Sequence, residues 1–399
     1  MTQTISEKIL SAHCGRQVRA GEIGVCRVDC VIGTDGSGPM AIDYFEEMGG
    51  RSLFDPSRVF FSLDHYAPPD TPQTMAFHRR IKTFAAAHGA TVFDVGDGIS
   101  HQVVVDRGLV GAGDLVVGAD SHTVTCGALN AFAIGVGSSD LAAAMLTGTI
   151  WLRVPETIRV ILHGRRSAGV AAKDVALFLI QKLGADGANY QAIEFAGDAL
   201  PAFTMDDRLV LCNLMVEAGA KAALFPGPIA SDPQARFRLE LDCDLAKVTP
   251  QVALPHAPDN VAPLSSAAGI PVQMVFIGTC TGGRAVDFRE AWDGFTRAGG
   301  RLAAGVQLVL TPASRDVHDQ IAADGTLDRF VAAGAILTTT GCGACCGTSG
   351  VIPVDGMTVL STANRNFKAR MGNATAQIFL ASPVVCGAAA ATGRIPERA

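Results

Sequence analysis

"SRVFFSLDH", residues 57–65, is a short apolar run that stops on an acid and an imidazole, Asp64 and His65. A helix-like stretch follows, "TPQTMAFHRRIKTFAAAHG" (71–89), and then a second apolar run, "TVFDV" (91–95). Continuous apolar runs of this length, with no polar alternation, suit strands of a parallel sheet covered on both faces. The same rhythm returns at "DLVVG" (114–118), which runs into Asp120-Ser121-His122. This strand, polar turn, helix order sets the fold class as α/β.

The rhythm continues to the C-terminus in two further blocks. The second opens near Pro155 with "ETIRVILHG" and continues through "AKDVALFLIQKL", "QAIEFAG" and "MDDRLVLCNLMVEAG", with Thr204 and Asp207 spaced as a capping box. "PQVALPHAPDNVAPLSSAAG" (250–269) is rich in Pro, Ala and Ser and reads as a linker. The third block carries "PVQMVFIG", "VQLVLTP", "GAILTTT" and "GMTVLST". The expected organisation is three α/β blocks, 1–154, 155–268 and 269–399, with no repeats and no low-complexity segment.

Bulk composition agrees. The 399 residues are 48% hydrophobic and only 18% charged, and 44 glycines supply many tight turns, as in a large α/β enzyme. A net charge of −6, with isolated basic pairs, gives no electrostatic footprint for nucleic acid. No signal-peptide pattern opens the chain, and "LAAAMLTGTIWL" is too short and too broken by Thr and Gly to span a bilayer. The expected location is the cytoplasm. Eleven cysteines, an odd number, then point to metal binding or catalysis rather than to disulfides.

Ligands of parallel sheets bind outside the carboxyl ends of the strands, and the polar clusters gather there. Asp64-His65, His101, Asp120 to His122, Cys280, Cys342 with Cys345, and Asn364 to Arg370 all sit in such turns. Asp120, Ser121 and His122 are consecutive, so their side chains diverge and do not form a hydrolase triad. "GVGSSD" (135–140) half-matches a dinucleotide fingerprint, but Asp140 replaces the third glycine and no clear strand precedes it.

"GCGACCG" (341–347) holds Cys342, Cys345 and Cys346. It lacks the histidine of a haem motif, a second C-x-x-C for a closed zinc site, and an evident small redox domain around it. Cys280, in "FIGTCTGGR", offers a third thiolate at another strand end. Three thiolates can hold three corners of a [4Fe–4S] cluster and leave one iron open as a Lewis acid. With Cys346 as a fourth ligand the site would be an electron carrier. Adjacent residues rarely aim at one cluster, so Cys346 reads as a packing thiol. Arg365 and Arg370 suit a dicarboxylate, because guanidinium forks bind carboxylates bidentately.

Together "LDH" (63–65), "GISHQ" (98–102), residues 117–145, "VPETIRV" (154–160), "IEFAG" (193–197), residues 250–263, "GTCTGGR" (278–284), "GCGACCG" and "NRNFKARMG" (364–372) resemble the aconitase superfamily. The resemblance is greatest to the large subunits of 3-isopropylmalate dehydratase and homoaconitase, and it runs in order along the whole chain. It implies three α/β/α domains around a central cleft, with a [4Fe–4S] cluster on Cys280, Cys342 and Cys345. It implies a hydro-lyase that dehydrates or hydrates a hydroxy-dicarboxylic acid, of the 3-isopropylmalate dehydratase type used in leucine biosynthesis. Other small diacids, of the dimethylmaleate, citraconate, maleate or homoaconitate type, are the alternative substrates, and an aconitase-like regulatory protein without activity is the alternative class.

By the same resemblance Asp64, His65, His101, Asp120 and His122 would serve the leaving hydroxyl, and Glu194 would lie on the iron-bound hydroxyl. Ser121, Asn364, Arg365 and Arg370 would hold substrate and cluster. The serine base of the family has no counterpart here, since no G-S-S-R-E-like loop is present. The expectation is a large subunit completed by a small, swivel-domain partner. Two stretches depart from the pattern: Thr279-Cys280-Thr281-Gly282 stands for S-C-T-N, and Cys346-Gly347-Thr348-Ser349 for L-G-G-H.

Overall fold

A computed structural model of the chain describes residues 2–348 and 350–399. Among the described residues, three larger sheets and one two-stranded ribbon organise the fold. In the first sheet the strands lie in the order Thr91–Phe93, Val59–Ser62, Cys30–Thr34, Leu115–Gly118, Phe132–Gly135, all parallel. The central strands are buried along their whole length, as their unbroken apolar runs require.

The helix between the first two strands read above spans Pro72–His88. The Thr71 hydroxyl accepts from the Thr74 N–H to start it, and Gly89, at φ 77°, ends it in the left-handed conformation. Its inner face brings Phe84 edge-on against Phe45 and Phe61. Each such buried ring contributes about 1.5–3 kcal/mol of transfer free energy.

The second sheet runs Ala222–Leu224, Ala192–Ala196, Thr157–His163, Leu239–Asp244, again all parallel. The Thr204–Asp207 capping box forms as expected at the start of helix Met205–Leu214. The third sheet has seven strands, ordered Val261–Pro263, Gln251–Ala253, Gln377–Leu380, Thr358–Ser361, Met274–Gly278, Gln307–Thr311, Ile336–Leu337. Its last five are parallel and its first two antiparallel.

Those first two strands overturn the linker reading of residues 250–269. The prolines that suggested a linker sit where a strand tolerates them: Pro263 lies on the sheet's outer strand, where its missing N–H breaks no central ladder. The segment is also tied to the second block, because Gln251 N donates to Asp174 (2.8 Å) and Gln181 Nε2 to the Val261 carbonyl (2.6 Å). Similarly, "GVGSSD" is preceded by a strand, Phe132–Gly135, and followed by helix Ser138–Thr147. Four residues of mixed size, "FAIG", were too short to read as a strand.

The expectation of no disulfide is also corrected. Cys14, ending helix Ile5–Cys14, is paired with Cys26 on strand Ile23–Arg27. A Cβ at Gly24 would lie 2.5 Å from Cys14 Sγ, so the bare glycine lets the helix end come down onto the ribbon. Compartment arguments speak to redox conditions and cannot see this packing.

The same helix end yields a test of stability against pH. His13 Nε2 lies 2.5 Å from Asp29 Oδ2. Burial opposes the charged ring, but Asp29 and the Ile9 carbonyl outweigh it and raise His13 above its ordinary 6.5. Its stabilisation is therefore fully present below that ordinary value and is lost as pH rises through the raised one. His13→Gln is expected to flatten the alkaline fall of the unfolding midpoint, measured by thermal scans across neutral pH.

No helix among the described residues is long and apolar enough to cross a membrane.

Candidate active site

The turns after strands Cys30–Thr34, Val59–Ser62 and Leu115–Gly118, neighbours in the first sheet, present Asp35, Asp64 with His65, and Asp120 with His122. The third sheet presents Cys280 after Met274–Gly278, Cys342 after Ile336–Leu337, and Asn364 after Thr358–Ser361. The two sets meet edge to edge. Cys342 N donates to the Asp64 carbonyl (2.9 Å), and Thr348 Oγ1 to the His65 carbonyl (2.6 Å). Gly341 adopts φ 145°, and a Cβ there would fall 2.7 Å from the Asp64 carbonyl oxygen. Only glycine permits that approach.

His65 is the hub. Its Nδ1 lies 2.7 Å from Asp64 Oδ1, and its Nε2 lies 3.4 Å from Asp120 Oδ2 and 3.8 Å from Cys342 Sγ. Burial disfavours the imidazolium, but Asp64 and Asp120 together outweigh it and hold His65 well above the usual histidine range. Burial in turn pushes Asp64 up to about 6 against the pull of His65. Asp120 goes the other way: bonds from His122 and His65 overcome its burial and hold it well below the carboxylate range. His101, on helix Ser100–Asp106, is kept neutral, since burial brings it down to about 3. Its Nε2 is buried without a hydrogen-bond partner among the described residues. Ser121 is half-buried beside His122, its Oγ 3.4 Å from Nδ1.

Asn364 bridges two cysteines. Its Nδ2 donates to Cys280 Sγ (3.3 Å), and its Oδ1 accepts from the Cys345 thiol (3.4 Å). Arg370 Nη2 lies 3.7 Å from Cys345 Sγ, and its Nε is buried without a partner among the described residues. Burial pushes the Cys280 thiol up to about 12, so it becomes a thiolate only when a cation joins it. Three converging cysteines, flanked by amide and guanidinium donors and by unsatisfied buried nitrogens, fit a metal–sulfur group. Cys346 lies close by, half-buried, with Sγ 2.7 Å from Thr348 Oγ1 and 3.7 Å from the Gly343 carbonyl. Ser349, the end of that departure, is outside the described residues. At the other departure, a Cβ on Gly282 would sit 2.2 Å from the Thr362 Cβ. The bare backbone there gives Thr362 room to bond Gly278 and Gly282.

Glu194 is not part of this site. Its carboxylate accepts from Ser6 N (3.0 Å) and Ser6 Oγ (3.1 Å), at the start of the first helix, and from Ser231 Oγ. The carboxylate that does join the site is Glu217, which sequence reasoning missed. Glu217 Oε1 lies 2.9 Å from His122 Nε2 and 2.8 Å from Arg365 Nε. Asn213, also missed, donates to Cys280 Sγ (3.1 Å). The two are four residues apart in "CNLMVEAG", a polar pair on one helical face inside an apolar run, and that spacing was the available signal. Asp35 is a third omission: it is fully buried and accepts from the N–H groups of His65 and Tyr66 and from His78. It stands directly after strand Cys30–Thr34, beside the strand end that carries Asp64.

The profile of the Aconitase family (aconitate hydratase) matches residues 7–230 and 227–393. The chain belongs to the aconitase family. Among its relatives, the 3-isopropylmalate dehydratase large subunit 1 of Methanopyrus kandleri is 40% identical over 415 residues, covering 100% of this chain and 99% of its own. The homoaconitase large subunit of Thermus thermophilus is 42% identical over 406 residues, covering 98% and 96%. Among solved structures, holo aconitase X of Thermococcus kodakaraensis aligns with a TM-score of 0.54 over 90% of this chain and 88% of that one. At 13% identity that likeness speaks to the aconitase fold alone. The aconitase family places the chain among the carbon–oxygen lyases.

Proposed function

We propose that this chain is the large subunit of a hydro-lyase of the 3-isopropylmalate dehydratase type, acting on a hydroxy-dicarboxylic acid. The observation that carries the reading is the meeting of Cys280, Cys342 and Cys345 with the Asp64–His65–Asp120 relay at facing strand ends. Full-length relatives of that name, about two-fifths identical, support the substrate class.

Cys280, Cys342 and Cys345 would hold a [4Fe–4S] cluster, whose iron without a cysteine supplies a Lewis acid to the substrate hydroxyl and carboxylate. The chain's own groups do the rest. His65, kept protonated between Asp64 and Asp120, is placed to give a proton to the departing hydroxide. His101, neutral, offers Nε2 as a second hydrogen-bonding group. Arg365 and Arg370 pair with the substrate carboxylates. Glu217 fixes the orientation of both His122 and Arg365. The base that removes the α-proton would come from a small partner subunit, as the "large subunit" names of the relatives suggest.

Anaerobic co-purification with a small subunit, followed by assay on alkylmalates, homocitrate-type acids and maleates, tests this. The expected result is an unsaturated diacid from one substrate with the pair, and none from the large chain alone. Absence of any such product with every partner and diacid overturns the enzyme reading. Turnover by the chain alone overturns the two-subunit one.

A further inference from the structure

Lys173 is buried, at 2% exposure, in the first turn of helix Ala172–Leu183. Its Nζ donates to the carbonyls of Thr362 and of Ala363, the latter at 2.6 Å. Both of these bonds go to neutral oxygens, and burial lowers the ammonium from its ordinary value to about 8. Burying a cation in this way is costly unless negative charge lies nearby. Asp287 lies in Coulombic reach, as do the Cys386, Cys280 and Cys345 sulfurs, and Cys280 and Cys345 would be anionic as metal ligands.

The two carbonyls it grips form the turn that leads from strand Thr358–Ser361 into Asn364 and Arg365. The same turn is bound from the other side, where Thr281 Oγ1 donates to the Thr362 carbonyl (2.9 Å) and Gly278 N donates to Thr362 Oγ1 (2.9 Å). The Cys280 turn and the Asn364 turn are thus locked together over Lys173.

We propose that Lys173 is a positioning residue of the cysteine site: its ammonium clamps the 362–363 turn that carries Asn364 and Arg365, and sets a positive charge behind Cys280 and Cys345. This rests on the cluster reading given above. Groups behind the ligands of a metal site orient them and tune the metal, and their loss costs about 10–100-fold in affinity or activity. Three thiolates and a dicarboxylate gather much negative charge in one place, and a buried ammonium offsets part of it.

The test uses Lys173→Gln, whose amide can still donate to one carbonyl, and Lys173→Met, which removes donor and charge together. Each is loaded with iron and sulfide anaerobically beside the wild-type chain. The cluster's reduction potential is followed by electron paramagnetic resonance, and KM is measured in the two-subunit complex. Both variants are expected to shift the potential to more negative values, because the reduced cluster loses its compensating charge. KM should rise about tenfold in Lys173→Met and less in Lys173→Gln. Loaded variants with the wild-type potential and KM would overturn the inference. Failure of both to fold would overturn it as well, by making Lys173 a folding residue with no separable role. A wild-type chain that takes up no cluster would instead remove the reading beneath it.

Discussion

Cys345→Ser is expected to fold and to lose its iron–sulfur absorbance and all measurable hydratase activity in the two-subunit complex. The serine is nearly isosteric, and its hydroxyl can keep the contacts that Cys345 makes with Asn364 Oδ1 and Arg370. The stability change should therefore stay within about 1–3 kcal/mol, the range for altering one buried hydrogen-bonding group. Ligation is a different matter. A thiolate binds iron because it is soft and anionic, and a serine hydroxyl at neutral pH is neither. Cys346→Ser is the matched control. That thiol faces Thr348 Oγ1 and the Gly343 carbonyl, and a hydroxyl can replace it there. Iron content, visible absorption and electron paramagnetic resonance should be lost in the first variant and kept in the second. The reverse pattern would reassign the third ligand to Cys346.

The sequence made the fold legible wherever strands were long and buried. "SRVFFSL" and "DLVVG" announce parallel strands because burial on both faces leaves no polar alternation, and the turns after them carry Asp64, His65 and Asp120 as the parallel topology demands. Legibility failed where structure depends on partners far along the chain. The strands at 251–253 and 261–263 are three residues each, bracketed by prolines, and they exist because the strand Gln377–Leu380 and the helix carrying Asp174 and Gln181 receive them. Cys14 meets Cys26 through packing at Gly24 that no spacing rule encodes.

The site shows the same division. Cys280, Cys342 and Asn364 were readable as strand-end residues, but Glu217 follows a helix, in a short 3-10 turn among apolar neighbours. Its importance appears only when His122 and Arg365, from two other sheets, close around it. Glu194 misled for the opposite reason. It sits in a strand within a familiar-looking motif, yet position 194 faces the first helix rather than the cleft.

A pair of substitutions turns that distinction into numbers. Glu217→Gln is expected to lower kcat/KM by on the order of 10²-fold or more, and Glu194→Gln to leave it near the wild-type value. Glu217 is buried, yet His122 and Arg365 hold its carboxyl below the ordinary range, so the site is built for its charge. The neutral amide leaves Arg365 without its ion pair and His122 with a weaker partner. Breaking a buried pair from one side costs about 3–5 kcal/mol, and the fifth of the Arg365 side chain that is exposed argues for the lower end. The damage should show in KM, because Arg365 is the proposed carboxylate fork, and in kcat, because the His122 ring loses its anchor. At Glu194 burial raises the carboxyl despite bonds from Ser231 and Ser6, so the folded protein already disfavours its charge. A neutral glutamine accepts the same Ser6 N–H, and the unfolding midpoint should move by no more than about 1 kcal/mol in equivalent stability, the size of a helix-start contact. Should Glu194→Gln instead abolish turnover while Glu217→Gln leaves it intact, the carboxylate that serves the cleft is the strand residue, and the geometry that joins Glu217 to His122 and Arg365 has no catalytic meaning.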